Sequence, residues 1–238
     1  PPWQQPAQGC PGPGLLLAFT TFKHECEFRG ISDIVIAMTG DHFNLDRLRE
    51  QSHTNEKVRA ESLLDGFDMM VESIDDLLEN GYNISITGVN GNESRIMTDE
   101  HQGNVDGLIK NNFDYLLFQM LKRKYHNQCN FLNDCDTLEF MFEVNGKTFI
   151  ILHGDKLRHS QLDKEIDKVR LKWLQITGKY ADHTLLGHTH SFITTSTYTR
   201  ASSLVGADEY AFNGLTIPES DIKIGRAHVW TPVTATDL

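Results

Sequence analysis

The chain predicts an α/β fold with an α+β-like, four-layer arrangement: a mixed β-sheet sandwich flanked by helices, in one domain. Three observations predict it. Segments with helical apolar spacing alternate with short β-branched runs, the strands then cluster in the C-terminal half, and no internal repeat interrupts the order. At 238 residues the chain is long enough for one domain with a full core.

Leu15, Phe19, Phe22 and Cys26 recur at helical spacing, which predicts a helix over 15–28. Asp33–Met38 is a short β-branched run and reads as a buried strand ending at Thr39-Gly40-Asp41. Glu56–Asn80 is amphipathic, with Leu63, Phe67, Met70, Ile74 and Leu78 on one face and Gly81 as its stop. Asn83–Val89 is the next strand, ending at Asn90-Gly91-Asn92. Val105–Tyr125 reads as a helix with Leu108, Phe113, Leu116, Leu117 and Leu121 on its core side.

Leu138–Val144 and Lys147–Leu152 flank Asn145-Gly146, the dipeptide that best fits a tight hairpin turn. The second of these strands delivers His153-Gly154-Asp155. Leu162–Thr177 is a charged amphipathic helix. His183–Leu186 is a short strand that delivers Gly187-His188-Thr189-His190, and Ile193–Thr199 is expected to continue as one further strand.

The two ends read differently. Residues 1–14 hold five of the seven prolines and no apolar period, and are expected to form a disordered or foreign leader. Residues 223–238 include IGRAHVWTPVT, which reads like a translated sequencing adapter and is expected to be an artefact tail. The domain is therefore placed at 15–222, as a fragment of a longer natural chain.

Hydrophobic residues make up 39% and charged residues 23%, as in soluble globular proteins. No apolar run reaches the roughly 18 residues of a membrane span, so no membrane partner is expected. Leu15–Phe19 lacks the basic flank and cleavage site of a signal peptide. Cys10, Cys26, Cys129 and Cys135 show no C-x-x-C spacing and read as free thiols of a reducing cytoplasm. The net charge of -11 repels nucleic acid and phosphate at long range unless a local cationic centre reverses the field.

Such a centre has its ligands in the sequence. Four strands each end in a short glycine-containing turn that bears a metal-binding side chain: Gly40-Asp41, Gly91-Asn92, His153-Gly154 and Gly187-His188-Thr189-His190. Strand ends are where α/β folds gather their sites. A carboxylate can bridge two cations, imidazoles suit borderline transition metals, and an amide oxygen completes a shell without adding charge.

The series GD…GN…HGD…GHTH resembles the calcineurin-like metallophosphoesterase superfamily, bacteriophage members in particular, over roughly Ile31 to Ser220. The resemblance implies a metallo-dependent phosphatase type of fold in a cytoplasmic protein of a bacterial host or phage-infected cell. It implies two divalent metal ions, manganese first and iron or zinc as alternatives. Asp41 matches the bridging carboxylate, Asn92, His153 and His188 the ligands of the second metal, and His190 a ligand of the first. The implied reaction is hydrolysis of a phosphomonoester or phosphodiester by a metal-activated hydroxide. The implied substrates are phosphorylated small molecules or nucleic acid.

The sequence departs from that pattern twice. The Asp-x-His that opens the family's pattern is not found, and His24-Glu25-Cys26 lies on the helix that would follow it. Glu93 stands where the family has a histidine. Glu93 with a raised pKa can donate a proton to the leaving group, and Arg95 can contact a phosphate oxygen or else pair with Glu93 or Asp99. Asp155 either orients a ligand imidazole or caps its turn. His42 and Asn44 can line the cleft, and His183 reads as structural. The basic stretch from Lys156 to Lys172 is interleaved with acids and reads as a solvated helix face.

Overall fold

The computed structural model describes residues 12–43, 57–96, 109–189 and 191–202. Two β-sheets stack face to face between helices. In chain order the elements are α1 (Gly12–Arg29), β1 (Asp33–Met38), α2 (Arg59–Glu79), β2 (Asn83–Gly88), α3 (Phe113–Tyr125), β3 (Asn130–Phe131), β4 (Glu139–Val144), β5 (Lys147–Leu152), α4 (Leu162–Thr177), β6 (His183–Leu186), β7 (Ile193–Thr194) and β8 (Tyr198–Arg200).

The first sheet has the order β1-β2-β3 and is parallel throughout. The second has the order β4-β5-β6-β8-β7, with parallel pairs at β5–β6 and β6–β8 and antiparallel pairs at its edges. The sheet is mixed, as the sequence predicts.

Side-chain alternation along the strands makes the layers. On β1, Ile34, Ile36 and Met38 face Cys26 of α1, Leu63, Met70, Ile74 and Leu77 of α2, and Leu117, Phe118 and Leu121 of α3. Val35 and Ala37 point the other way. They meet Phe142, Phe149 and Ile151 of the second sheet. On β5, Ile150 and Leu152 face Leu162, Ile166 and Val169 of α4. The result is helices, sheet, sheet, helix.

Several element ends shift by a few residues from the sequence reading, and four differences have a local reason. Helix α1 starts at Gly12, inside the segment read as a leader, because a proline at position 13 is tolerated in a first turn whose N–H groups have no intrahelical partner anyway. Helix α3 starts at Phe113: Asn112 is extended and its side chain accepts the Asp114 N–H, an N-cap that ends any helical path from Lys110. The Ile193–Thr199 run folds into two strands because Thr195 Oγ1 accepts the N–H groups of Thr197 and Tyr198. Strand β3 was not anticipated, since two residues carry no periodicity. Residues 1–11 and 203–238 lie outside the described residues, as do 105–108 of the predicted helix.

The three described cysteines are free and buried. Among the described residues no helix is long and apolar enough to cross a membrane.

Phe118 is fully buried beneath Gly88, where a Cβ would lie 2.9 Å from its ring, and it meets Phe131 edge-on. Phe118→Ala is expected to lower the unfolding free energy by about 3–5 kcal/mol, read from the midpoint and slope of a urea titration.

Candidate metal centre

The turns after β1, β2, β5 and β6 meet at one edge of the sandwich. His153 is the hub. Its Nδ1 lies 2.8 Å from the Thr39 carbonyl oxygen, which can only accept, so Nδ1 carries a hydrogen. The opposite nitrogen, Nε2, faces Asp41 Oδ2 at 2.9 Å, Asn92 Oδ1 at 3.0 Å and His188 Nδ1 at 3.2 Å. The Asn92 oxygen is the inward atom because its Nδ2 donates to Glu93 Oε1.

These four turns are shaped for close approach. Asp41 and His188 both adopt the left-handed region, at φ 55° and 69°, a conformation that non-glycine residues hold mainly at functional sites. Gly91 has no side chain for a plain reason: a Cβ there would lie 2.0 Å from Asp41 Oδ1. The Glu93 N–H donates to that same oxygen at 2.7 Å. The Gly187 N–H donates to the His153 carbonyl at 3.0 Å, which ties the β6 turn to the β5 turn.

Electrostatics follow from burial and from Asp41. Burial alone would depress the His153 pKa, but the hydrogen bond and charge of Asp41 outweigh it and raise the value above 6.5. Burial and the neighbouring His153 lower the pKa of His188 and favour its neutral imidazole. His159 stacks on His188 with ring centroids 5.2 Å apart. Burial, with Arg200 nearby, lowers its pKa too.

Of the five metal ligands expected from the sequence, the fold brings together Asp41, Asn92, His153 and His188; His190 lies outside the described residues. Glu93 stands beside them through its contact with Asn92. Arg95 is buried, and it donates to Asp155 at 3.0 Å. Asp155 therefore holds Arg95 and Lys156, while the Thr39 carbonyl orients the His153 imidazole. His42 turns away to pair with Asp114 at 2.9 Å. His183 is structural, its Nε2 within 2.9 Å of Thr199 Oγ1, and His24 is exposed beside Glu27. Asn44 and Asp99 lie outside the described residues. Most of the basic stretch is solvated, but Arg170 is buried against the Ala181 carbonyl.

Asp114 was missed. It is fully buried, and its carboxylate binds the turns of both Asp41 and Gly91. Burial would raise its pKa, but His42, the Gly91 N–H and the Ser94 hydroxyl bring it down to about 2. The legible signal was Asn112-Phe113-Asp114, a capping pattern inside a stretch read as continuous helix.

The donor set suits a cation. Asp41, His153 and His188 each offer a ligand atom, all within 4.8 Å of one another. Adjacent corners of an octahedron with bonds of about 2.1 Å lie about 3.0 Å apart, close to the spacings around His153 Nε2. One carboxylate oxygen, one amide oxygen and two imidazole nitrogens suit manganese, iron or zinc better than calcium or magnesium.

No protein-family model and no curated protein matches the chain. Among the solved structures similar to it are two of low identity. One is a Vps29 single mutant from Entamoeba histolytica, 13% identical over 74% of this chain and 77% of that one, with a TM-score of 0.32. The other is a conserved uncharacterized protein from Streptococcus pneumoniae, described as a predicted phosphoesterase. It is 14% identical over 72% of this chain and 71% of that one, with a TM-score of 0.29. At these TM-scores neither likeness bears on function, which rests on the chain's own residues.

Two outcomes follow. Gly91→Ala forces Asp41 out of position and is expected to weaken Mn²⁺ binding by at least the roughly 10–100-fold typical of outer-shell changes, measured by titration calorimetry. The His153–Asp41 pair has a raised folded-state pKa, so its stabilisation is complete below about pH 6.5 and is lost as pH rises through the folded value. Thermal melts of chelator-treated protein should fall with pH above about 6.5, and His153→Asn should flatten that slope.

Proposed function

We propose that the chain is a metal-dependent phosphoesterase that hydrolyses phosphomonoesters or phosphodiesters. The observation that carries this reading is the convergence of Asp41, Asn92 and His188 on one nitrogen of His153, each within 3.2 Å. Asp41, Asn92, His153 and His188 hold one divalent ion, and Asp41 with His190 holds a second; manganese fits best, with iron or zinc as alternatives. Bound there, the ions supply Lewis acidity toward phosphoryl oxygens and a water acidified toward neutral pH.

The remaining chemistry belongs to the chain. The turn glycines let the turns pack directly against one another, as where Gly40 meets the Gly91 backbone and Gly91 meets Asp41. The Glu93 N–H fixes one oxygen of Asp41 and leaves the other for metal. The Glu93 carboxyl, in place of a histidine, is the proton donor to the leaving oxygen. Arg95, oriented by Asp155, sets the positive charge on the phosphate side. The net charge of -11 favours a small phosphorylated substrate or nucleotide over duplex DNA.

A second reading has its own support. Glu93 is engaged with Asn92, and Arg95 is buried against Asp155, which fits a non-catalytic metal-binding or interaction protein on the same fold. Manganese-loaded protein assayed on p-nitrophenyl phosphate and bis-p-nitrophenyl phosphate separates the two. Turnover is expected, and Asp41→Asn or His188→Asn should reduce it by more than the roughly 10–100-fold of outer-shell changes. Tight binding of one ion per chain without turnover on either ester selects the second reading.

A further inference from the structure

We infer that Asp114 is the positioning residue of the candidate centre, a buried carboxylate that sets the separation of the turns bearing Asp41 and Asn92. The inference rests on the metal reading above and adds a residue outside the ligand set.

The geometry is specific. Asp114 Oδ2 accepts two backbone N–H groups, from Asp41 at 2.9 Å and from Gly91 at 2.8 Å. A single oxygen thus spans the turn after β1 and the turn after β2. Asp114 Oδ1 accepts the His42 N–H at 3.1 Å and the Ser94 hydroxyl at 2.8 Å, and it meets His42 Nδ1 at 2.9 Å. All five contacts go to the segments that carry Asp41 and Asn92.

The carboxylate is itself held. Asn112 accepts the Asp114 N–H at 2.8 Å and donates its Nδ2 to the Gly91 carbonyl at 2.9 Å. Gly91 is therefore gripped on both sides, its N–H by Asp114 and its carbonyl by Asn112. Phe113 N–H donates to the Ser94 carbonyl at 2.8 Å, so the first turn of α3 is joined to the 91–94 turn along its length. Asp114 is not among the side chains that could share a cation with Asp41, His153 and His188. It acts through the backbone.

The tolerance at the centre is small. Asp41 Oδ1 already lies where a Cβ on Gly91 would collide at 2.0 Å. A shift of either turn by a few tenths of an ångström changes the gap between Asp41 and Asn92 and with it the shell offered to the ion. An asparagine at 114 presents an N–H₂ group to one set of N–H donors, so one side of the clamp must open.

The test compares Mn²⁺ affinity, by calorimetry on the full chain at a temperature where circular dichroism shows each variant folded. Asp114→Asn is expected to weaken binding roughly 10–100-fold. Ile74→Ala, which opens a cavity in the core of the same sheet, is expected to leave affinity within about twofold despite a large loss of stability. Ser94→Ala removes one donor from Oδ1 and is expected to weaken binding by a smaller factor, which serves if Asp114→Asn does not fold. Wild-type affinity in Asp114→Asn, or in Ser94→Ala where that variant is the one tested, overturns the inference. So does an equal loss in Ile74→Ala. Amide exchange in metal-free protein gives an independent reading: the Asp41 and Gly91 N–H groups should exchange slowly in wild type and fast in Asp114→Asn. A wild-type chain that takes up no Mn²⁺ sinks the metal reading instead, and the exchange rates alone then decide whether Asp114 holds the turns.

Discussion

The hydrogen bond from His153 Nδ1 to the Thr39 carbonyl joins the end of β5 in one sheet to the end of β1 in the other. It is one of several direct polar links between the two halves of the candidate centre, with His153–Asp41, His153–Asn92 and Arg95–Asp155, and it leaves Nε2 as the nitrogen of that ring that faces Asp41, Asn92 and His188. If the sheets slid past each other, the ligand atoms would part. The apolar layer between them prevents this: Val89, Ala37, Phe142, Phe149 and Ile151 pack without polar interruption and hold the strand ends level.

Polar groups are concentrated where that layer ends. Asn90, Asn92, Ser94, Arg95, Asn112, Asp114 and His153 are all buried around the turns, while Thr87, Thr148, His183, Thr184 and Arg200 are buried on the strands. Burying so many polar groups is unfavourable unless each finds a partner. Asn90 shows how tightly they are matched: its Nδ2 donates to the carbonyls of Ile109 and Cys135, and its Oδ1 receives the Cys135 thiol. Rigidity at the centre comes from this network together with backbone hydrogen bonds at the turns, such as Gly187 N–H to the His153 carbonyl.

The negative charge of the chain has a counterpart at the centre. Asp41 and Asp114 both lie there, close to His42 and His153, whose positive charge requires protonation. A proton on His153 Nε2, which Asp41 favours, would draw Asp41 and Asn92 together, and a divalent ion bound there would do the same with more charge, so that metal binding would couple to stability.

The elements with strong periodicity were legible in the sequence. The bounds of β1, β5, α4 and β6 match the sequence reading because hydrophobic alternation and the Asn145-Gly146 turn specify them locally. So were the ligand-bearing turns, since four strand ends in series each carry glycine beside an acidic, amide or imidazole side chain, a pattern that no single turn would make. The sequence by itself thus determined which residue types stand at each strand end. Only the tertiary structure decided which of them face one another. It turned His42 from the cleft to Asp114 and set Arg95 against Asp155, and it replaced a continuous helix by the capped start of α3. The first two choices depend on contacts between residues 72 and 60 positions apart, and no local pattern encodes the distance between two turns that meet only when the sheets stack.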